Sequence, residues 1–117
     1  MELANSHVEN IQATFGTLKP ITMKLGFYPS WDYHKVCFDL KLEDNGTDPE
    51  FYLRIPAKVV EGSMENPKCV LELMTPVFAL HYYPHGLDYE AEVPDYLRKK
   101  AEKTVKKLVD TLKKQSA

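Results

Sequence analysis

The chain has 117 residues, of which 44% are hydrophobic and 27% charged, and a formal net charge of -2; these values indicate one globular domain and exclude a disordered chain. Two cysteines are too few for a disulfide framework, no window approaches the roughly 18 apolar residues of a membrane-spanning helix, and the N-terminus lacks the pattern of a secretory signal. We therefore expect a single domain over residues 1–117, located in the cytoplasm and with reduced thiols.

The first elements in chain order are a strand and a short helix. Apolar and polar residues alternate loosely over residues 8–15, which predicts a first strand. The stretch TLKPITMKLG then carries apolar residues on one helical face. Thr17 suits the N-cap, Pro20 the first turn and Gly26 the end of this helix, which we expect to be about two turns long.

Several strands follow this helix. The segment VCFDLKL alternates strictly, and FYLRIP resumes the alternation after the turn-forming loop EDNGTDP. Two antiparallel strands joined by an acidic loop account for this pattern. The run CVLELMTPVFAL predicts one long strand that is apolar on both faces except at Glu72, as expected of a central strand.

The C-terminal helix has the clearest pattern. Pro94 suits the first helical position, and an apolar stripe recurs at helical spacing as far as about Lys114. The stripe consists of Leu97, Ala101, Val105, Leu108, Val109 and Leu112. The order of elements predicts an α+β fold, in which a single antiparallel β-sheet carries a short N-terminal helix and a long C-terminal helix packed on one face.

The sheet face turned away from the helices is the first candidate functional surface. It collects charged side chains that can pair across strands, with Arg54 expected near Asp39 or Glu72. A solvated face with a few ion pairs is therefore the first interpretation. The face also holds side chains that are poorly suited to open water, which makes a homodimer interface the alternative. The candidate interface residues are Cys37, Tyr52, Arg54, Val70 and Met74.

The stretch HYYPHGLDYE is the second candidate, because its side chains can bind a small ligand or a metal ion, or serve acid–base catalysis. His81 and His85 have the spacing of two zinc ligands on a helix, but Pro84 between them excludes a helix. A tight turn with Gly86 at a positive φ is therefore favoured, and we assign no metal and no catalytic residue. The candidate ligand-binding residues are His81, Tyr82, Tyr83, His85 and Asp88.

The C-terminal part is basic: eight basic and three acidic residues follow Val93, against seven and fourteen before them. The lysines spread over the whole polar arc of the helix without interleaved aromatic residues, so a solvated face is favoured and nucleic-acid binding is not. Glu102 precedes Lys106, and Asp110 precedes Lys114, by four residues, the favourable order for ion pairs. The sequence has no nucleophile elbow and no glycine-rich phosphate loop, so we expect no cofactor.

The segments FYLRIPAKVVEG and LELMTPVFALHYYPHGLDYE, followed by a proline-started basic helix, resemble the YugN-like proteins of spore-forming Gram-positive bacteria. The resemblance spans roughly residues 15 to 112, and LMTP and HYYPHG are its most specific parts. It implies a small cytosolic α+β protein. The family carries no assigned activity and no assigned catalytic or binding residues, so none transfer to positions here.

The sequence as a whole favours a non-catalytic binding or structural protein that forms a homodimer. The alternative is a small-ligand or metal site around His81 and His85, which either binds its ligand only or also hydrolyses it. A further alternative is weak nucleic-acid binding through the C-terminal helix.

Overall fold

The computed structural model describes residues 1–3, 6–33, 35–42, 50–82 and 86–115. Its strands form one antiparallel sheet, and the predicted α+β fold is confirmed. In chain order the elements are β1 (Gln12–Thr14), α1 (Phe15–Lys24), β2 (Phe27–Asp32), β3 (Lys35–Lys41), β4 (Glu50–Glu61), β5 (Val70–Leu73), β6 (Val77–Tyr82), β7 (Gly86–Asp88) and α2 (Asp95–Gln115).

The sheet is built around β4, whose 12 residues are enough to pair with three other strands. On one side β4 pairs with β3, from Lys41 opposite Tyr52 to Lys35 opposite Lys58. On its other side the first part of β4 pairs with β6 and the last part with β5. The edges are extended by β2, β1 and β7, which pair with β3, β5 and β6.

Residues 69–80 form two strands, so the predicted single long strand is wrong. The side chains that face the core have odd numbers up to Leu73 and even numbers from Phe78 onward. Residues 74–76 therefore shift the alternation by one position, and every side chain after them points to the opposite face from the one a continuous strand would give. Pro76, which has no N–H to donate, lies in this break, and its carbonyl accepts a hydrogen bond from the Leu3 N–H at 2.9 Å.

The first helix starts earlier than predicted. Thr14, rather than Thr17, is the N-cap, and its hydroxyl accepts a hydrogen bond from the Thr17 N–H at 3.2 Å. Phe15 is consequently helical and buried instead of extended, and Pro20 lies inside the helix instead of in its first turn. Gly26 follows the helix with a φ of 102°, a left-handed conformation that ends it as predicted.

The second helix begins one residue after Pro94, whose carbonyl accepts a hydrogen bond from the Leu97 N–H at 3.1 Å. Its predicted apolar stripe is confirmed, since none of the six stripe residues is more than 4% exposed. The stripe shares one hydrophobic core with the inward side chains of the sheet, including Phe38, Leu53 and Phe78. The opposite face of the sheet carries no helix within the described residues.

Candidate functional site

The candidate site lies on that opposite face, which we call the outer face. The strand register places Asp39 opposite Arg54, Tyr52 opposite Ala79, and Glu50 opposite His81. Two predicted interface residues, Tyr52 and Arg54, therefore lie beside one predicted ligand-binding residue, His81. The two surfaces that the sequence suggested separately are adjacent.

Three hydrogen bonds fix the guanidinium of Arg54 on the outer face. Its Nε and Nη2 groups donate to the two carboxylate oxygens of Asp39 at 2.8 and 2.9 Å, and its Nη1 donates to the Tyr89 hydroxyl at 2.9 Å. Among the described residues these contacts use three of its five N–H groups and leave two for other acceptors. The bonds to Asp39 hold the pKa of Arg54 above its ordinary value, so the guanidinium stays charged.

The predicted pairing of Arg54 with Asp39 is therefore confirmed, whereas the alternative pairing with Glu72 is wrong. Glu72 lies farther along the sheet, where it pairs with Lys58 at 3.2 Å and accepts a hydrogen bond from Gln12 at 3.0 Å. The hydrogen bond from Gln12 contributes most to lowering the pKa of Glu72, and the contact with Lys58 lowers it further.

Beside Arg54 the outer face has a cleft with a volume of about 330 Å³. Ala79 lies at the base of the cleft and is only 1% exposed, with the much larger Tyr52 opposite it on β4. The rings of Tyr52 and His81 meet edge to face with centroids 6.3 Å apart, and Leu87 lies opposite His81 on β7. The volume is at the lower end of the range for small-molecule sites. We call this the Ala79 cleft; it is lined by Asp39, Tyr52, Arg54, Ala79, His81, Gly86 and Leu87.

The charges around the Ala79 cleft are mutually compensated. Arg54 is paired with Asp39, and Lys41 pairs with Glu50 at 3.1 Å. The Tyr52 hydroxyl donates to Glu50 at 3.1 Å, and burial together with this bond raises the pKa of Tyr52. The phenol therefore remains a neutral group, and the walls offer hydrogen bonds without a strong net charge.

The remaining interface candidates lie on the outer face but do not line the cleft. Cys37 is opposite Pro56 and only 7% exposed. Burial raises the pKa of the Cys37 thiol despite the opposing influence of Arg54, so it stays a poor nucleophile at neutral pH. Val70 pairs with Thr14 at the β1 end of the sheet. Met74 follows β5 and is 41% exposed.

Within the stretch HYYPHGLDYE, the end of β6 pairs with β7 in antiparallel register, and His81 lies opposite Leu87. Gly86 has a φ of 87°, as predicted. Asp88 does not line the cleft, because it lies opposite Leu80 and its carboxylate accepts a hydrogen bond from the Glu90 N–H at 2.9 Å. The predictions for Tyr83, His85 and the side chain of Tyr82 lie outside the described residues.

Neither a metal centre nor a membrane span is found in the described ranges. Among those residues, no group of three or more His, Cys, Asp or Glu side chains could hold a metal ion. The helices that the structure describes also include none long and apolar enough to cross a membrane.

Ala79 and Leu87 line the cleft, although neither was predicted as a site residue from the sequence. A continuous strand with odd-numbered side chains in the core would have placed Ala79 and His81 inward. The phase change at residues 74–76 turns both to the outer face. Its one signal in the sequence was Pro76, which interrupts the run of strand-forming residues.

These features define an α+β domain with helices on one face of its sheet and an arginine-containing cleft on the other. The chain matches the YugN-like family over residues 3–105 and belongs to that family, as its sequence motifs indicated. The match begins farther toward the N-terminus than the resemblance seen in those motifs.

Two relatives cover nearly the whole chain. The Bacillus subtilis (strain 168) protein "Uncharacterized protein YlbA" is 30% identical over 118 residues, which cover 97% of this chain and 96% of that protein. The crystal structure of the uncharacterized conserved protein YugN from Geobacillus kaustophilus HTA426 has a TM-score of 0.84 at 26% identity, covering 99% of this chain and 98% of that one. Both names describe uncharacterized proteins, so the function is unknown and must be argued from the site.

Proposed function

We propose that this chain is a non-catalytic binding protein of the cytoplasm whose Ala79 cleft binds a single-ring aromatic compound with a carbonyl or carboxylate oxygen. The observation that carries the proposal is the fixed guanidinium of Arg54 beside a cleft walled by aromatic and aliphatic side chains. Two of the guanidinium N–H donors have no acceptor within the part of the chain that the structure describes. Convergent polar donors next to apolar walls are typical of small-molecule sites.

The shape of the cleft favours a flat ring. Ala79 offers only a methyl group as its floor, while Tyr52 and Leu87 rise beside it. His81 presents its ring near that of Tyr52 with an interplanar angle of 70°. A ring placed in the cleft above Ala79 can make offset or edge contacts with both aromatic side chains.

Arg54 determines which polar group the ligand carries. Because Asp39 and Tyr89 hold the guanidinium in place, its remaining donors need little reordering to meet a ligand oxygen. The Asp39 carboxylate compensates the positive charge, so a neutral carbonyl is accepted as well as a carboxylate. A ligand cation gains nothing from Arg54.

The side chains of the outer face support binding rather than catalysis. Tyr52, which lines the cleft, and Cys37, which lies outside it, both have a raised pKa and remain protonated at neutral pH. Arg54 remains charged and cannot act as a base. Binding and orientation are what this combination of groups provides.

The test is an NMR titration of the ¹⁵N-labelled chain with benzamide, benzoate and benzylamine. About nine non-hydrogen atoms at about 0.45 kcal/mol each give about 4 kcal/mol, so benzamide should bind with a Kd on the order of 1 mM. We expect saturable shifts of the amides of Tyr52, Arg54, Ala79 and Leu87 with benzamide and benzoate, and no saturation with benzylamine.

Two substitutions sharpen this test. Ala79→Leu fills the cleft and should abolish binding, while Arg54→Lys keeps the charge but loses the planar fork and should weaken it. The matched control is Arg98→Lys on α2, where the arginine pairs with Asp95, and it should bind like the wild type. Equal binding of benzylamine, or unchanged binding by Ala79→Leu, would contradict the proposal.

A homodimer that buries the outer face is the second candidate. Tyr28, Met74, Leu87 and Tyr89 are 67%, 41%, 37% and 38% exposed. Tyr28 lies opposite Asp39, so large apolar side chains surround the Arg54–Asp39 pair. The seven strands that the structure describes hold 41 residues, and about 3.4 Å of length by about 4.8 Å of width for each residue gives a face of roughly 670 Å², within the roughly 600–1,000 Å² that each partner buries in a standard interface.

Light scattering from 10 to 500 μM protein tests this second candidate. A dimer should dissociate in the Tyr28→Asp variant and persist in Tyr96→Asp, an equally exposed tyrosine on α2. A monomer at every concentration would rule the dimer out. The cytoplasmic location is tested separately by cell fractionation, where recovery with the membranes would contradict it.

A further inference from the structure

A second and larger cavity lies on the opposite side of the molecule, between the N-terminal segment and α2. Its volume is about 520 Å³. Leu3, Val105 and Val109 form an apolar floor in which no side chain is more than 4% exposed. We call it the N-terminal cavity, and it shares no residue with the Ala79 cleft.

The wall opposite the helix is held by the sheet. The Leu3 N–H donates to the Pro76 carbonyl at 2.9 Å, and Glu2 forms an isolated bridge with Val77. His7 lines the cavity with a φ of 62°, a left-handed conformation that residues other than glycine rarely adopt.

The rim on the helix side carries charges of alternating sign. In chain order they are Glu102, Lys106, Asp110 and Lys113, and all four are exposed. The first three lie four residues apart, so each change of sign corresponds to a rise of about 6 Å along α2.

These four groups are not paired with one another. Within the described part of the chain none of them has an ionic partner within 4.0 Å, so the ion pair predicted between Glu102 and Lys106 is wrong there. The same holds for the predicted pair of Asp110 with Lys114. Two cations and two anions thus line the helix side of the apolar floor, each with its charge available.

We infer that the N-terminal cavity binds a short zwitterionic peptide, such as a dipeptide with an apolar side chain. The ammonium and carboxylate ends of an extended dipeptide are about 6 Å apart, which matches the distance over which the rim changes sign. The ammonium end meets Glu102 or Asp110, and the carboxylate meets Lys106 or Lys113. The apolar side chain covers the floor.

The charge balance discriminates against ligands with one charge. The four rim charges sum to zero, so a simple anion is attracted by two groups and repelled by the other two. Both ends of a zwitterion find a partner of opposite sign. This favours the dipeptide over a fatty acid, an amine or inorganic phosphate.

The test uses three forms of one dipeptide: glycyl-leucine, acetyl-glycyl-leucine and glycyl-leucinamide. Titration of the ¹⁵N-labelled chain should shift the amides of Leu3, His7, Val105 and Val109 with glycyl-leucine. The two capped forms each lack one charge and should bind at least 10-fold more weakly. Equal binding of all three forms, or no saturable shift with up to 50 mM glycyl-leucine, would overturn the inference.

Variants of exposed side chains on α2 complete the test, because exposed positions are replaced at little cost to folding. Lys106→Ala and Asp110→Ala should each weaken glycyl-leucine binding at least fivefold. Lys103→Ala is the matched control, since this lysine is exposed on the same helix and does not line the cavity. Equal loss in all three variants would indicate non-specific attraction to the helix and contradict the site.

Discussion

Removing the carboxylate of Asp39 is the perturbation that most directly tests how Arg54 is held. The side chains are 23% and 26% exposed and joined by two short hydrogen bonds. Breaking an exposed pair costs about 0.2–1 kcal/mol, and removing one partner of a buried pair about 3–5 kcal/mol. A pair that is about three-quarters buried lies between these limits, so Asp39→Ala should lower the free energy of unfolding by about 2 kcal/mol.

A double-mutant cycle isolates the pair. We expect Arg54→Met, which keeps the apolar part of the side chain, to cost about 1.5 kcal/mol. The double variant with Asp39→Ala should be less destabilised than the sum, with a coupling energy of about 1–1.5 kcal/mol. Urea unfolding of the four proteins at pH 7, followed by circular dichroism, measures each free energy.

The Lys58–Glu72 pair provides the matched comparison. Lys58 is 56% exposed, so this coupling should be smaller and should disappear in 1 M NaCl, whereas that of Asp39 with Arg54 should largely persist. Additivity of the Asp39 and Arg54 substitutions within about 0.3 kcal/mol would refute the reasoning, since it would mean that Asp39 does not position the guanidinium.

Three further predictions concern folding. Tyr33 is 84% exposed and has a φ of 55°, a left-handed conformation that asparagine adopts more readily than tyrosine. Tyr33→Asn should therefore raise the free energy of unfolding, measured by urea denaturation, by about 0.5 kcal/mol. A decrease would contradict backbone strain at this position. Leu53 is fully buried, so Leu53→Ala should lower the free energy of unfolding by about 3–4 kcal/mol. The exposed control Leu87→Ala should lower it by less than about 0.5 kcal/mol. Similar losses in both variants would contradict the assignment of Leu53 to the core. The raised pKa of the Cys37 thiol means that the folded chain holds this proton more tightly, so its contribution to stability is present below pH 9.0 and is lost as the pH rises through the raised value. Thermal unfolding under reducing conditions at pH 8.0 and 9.5 should therefore show a larger loss for the wild type than for Cys37→Ala, and equal losses would contradict this.

Local patterns were enough to predict much of the fold. The apolar stripe of α2 and the alternation of β3 and β4 are short-range features, and each has one structural solution once a single core is assumed. The pairing of Arg54 with Asp39 followed from that alternation, because both side chains face outward on adjacent strands.

The features that build the cleft depend on long-range pairing. One apolar run is divided into β5 and β6, which both pair with β4, and the N-terminal segment meets the break between them at Pro76. That division turns Ala79 and His81 outward, which no local pattern required. The predicted ligand-binding role of Asp88 depended on nearness in sequence alone, and the register of β6 with β7 places it opposite Leu80 instead.

The proposed function requires that an aromatic ring binds in the Ala79 cleft. The most direct measurement is an intermolecular nuclear Overhauser experiment on protein labelled with ¹³C at alanine methyl groups, with benzamide in excess. We expect transfer from the benzamide ring protons to the Ala79 methyl group and none to Ala57, whose side chain belongs to the hydrophobic core on the other face of the sheet. Saturable benzamide binding without a contact to Ala79, or with contacts only to alanines elsewhere, would contradict it.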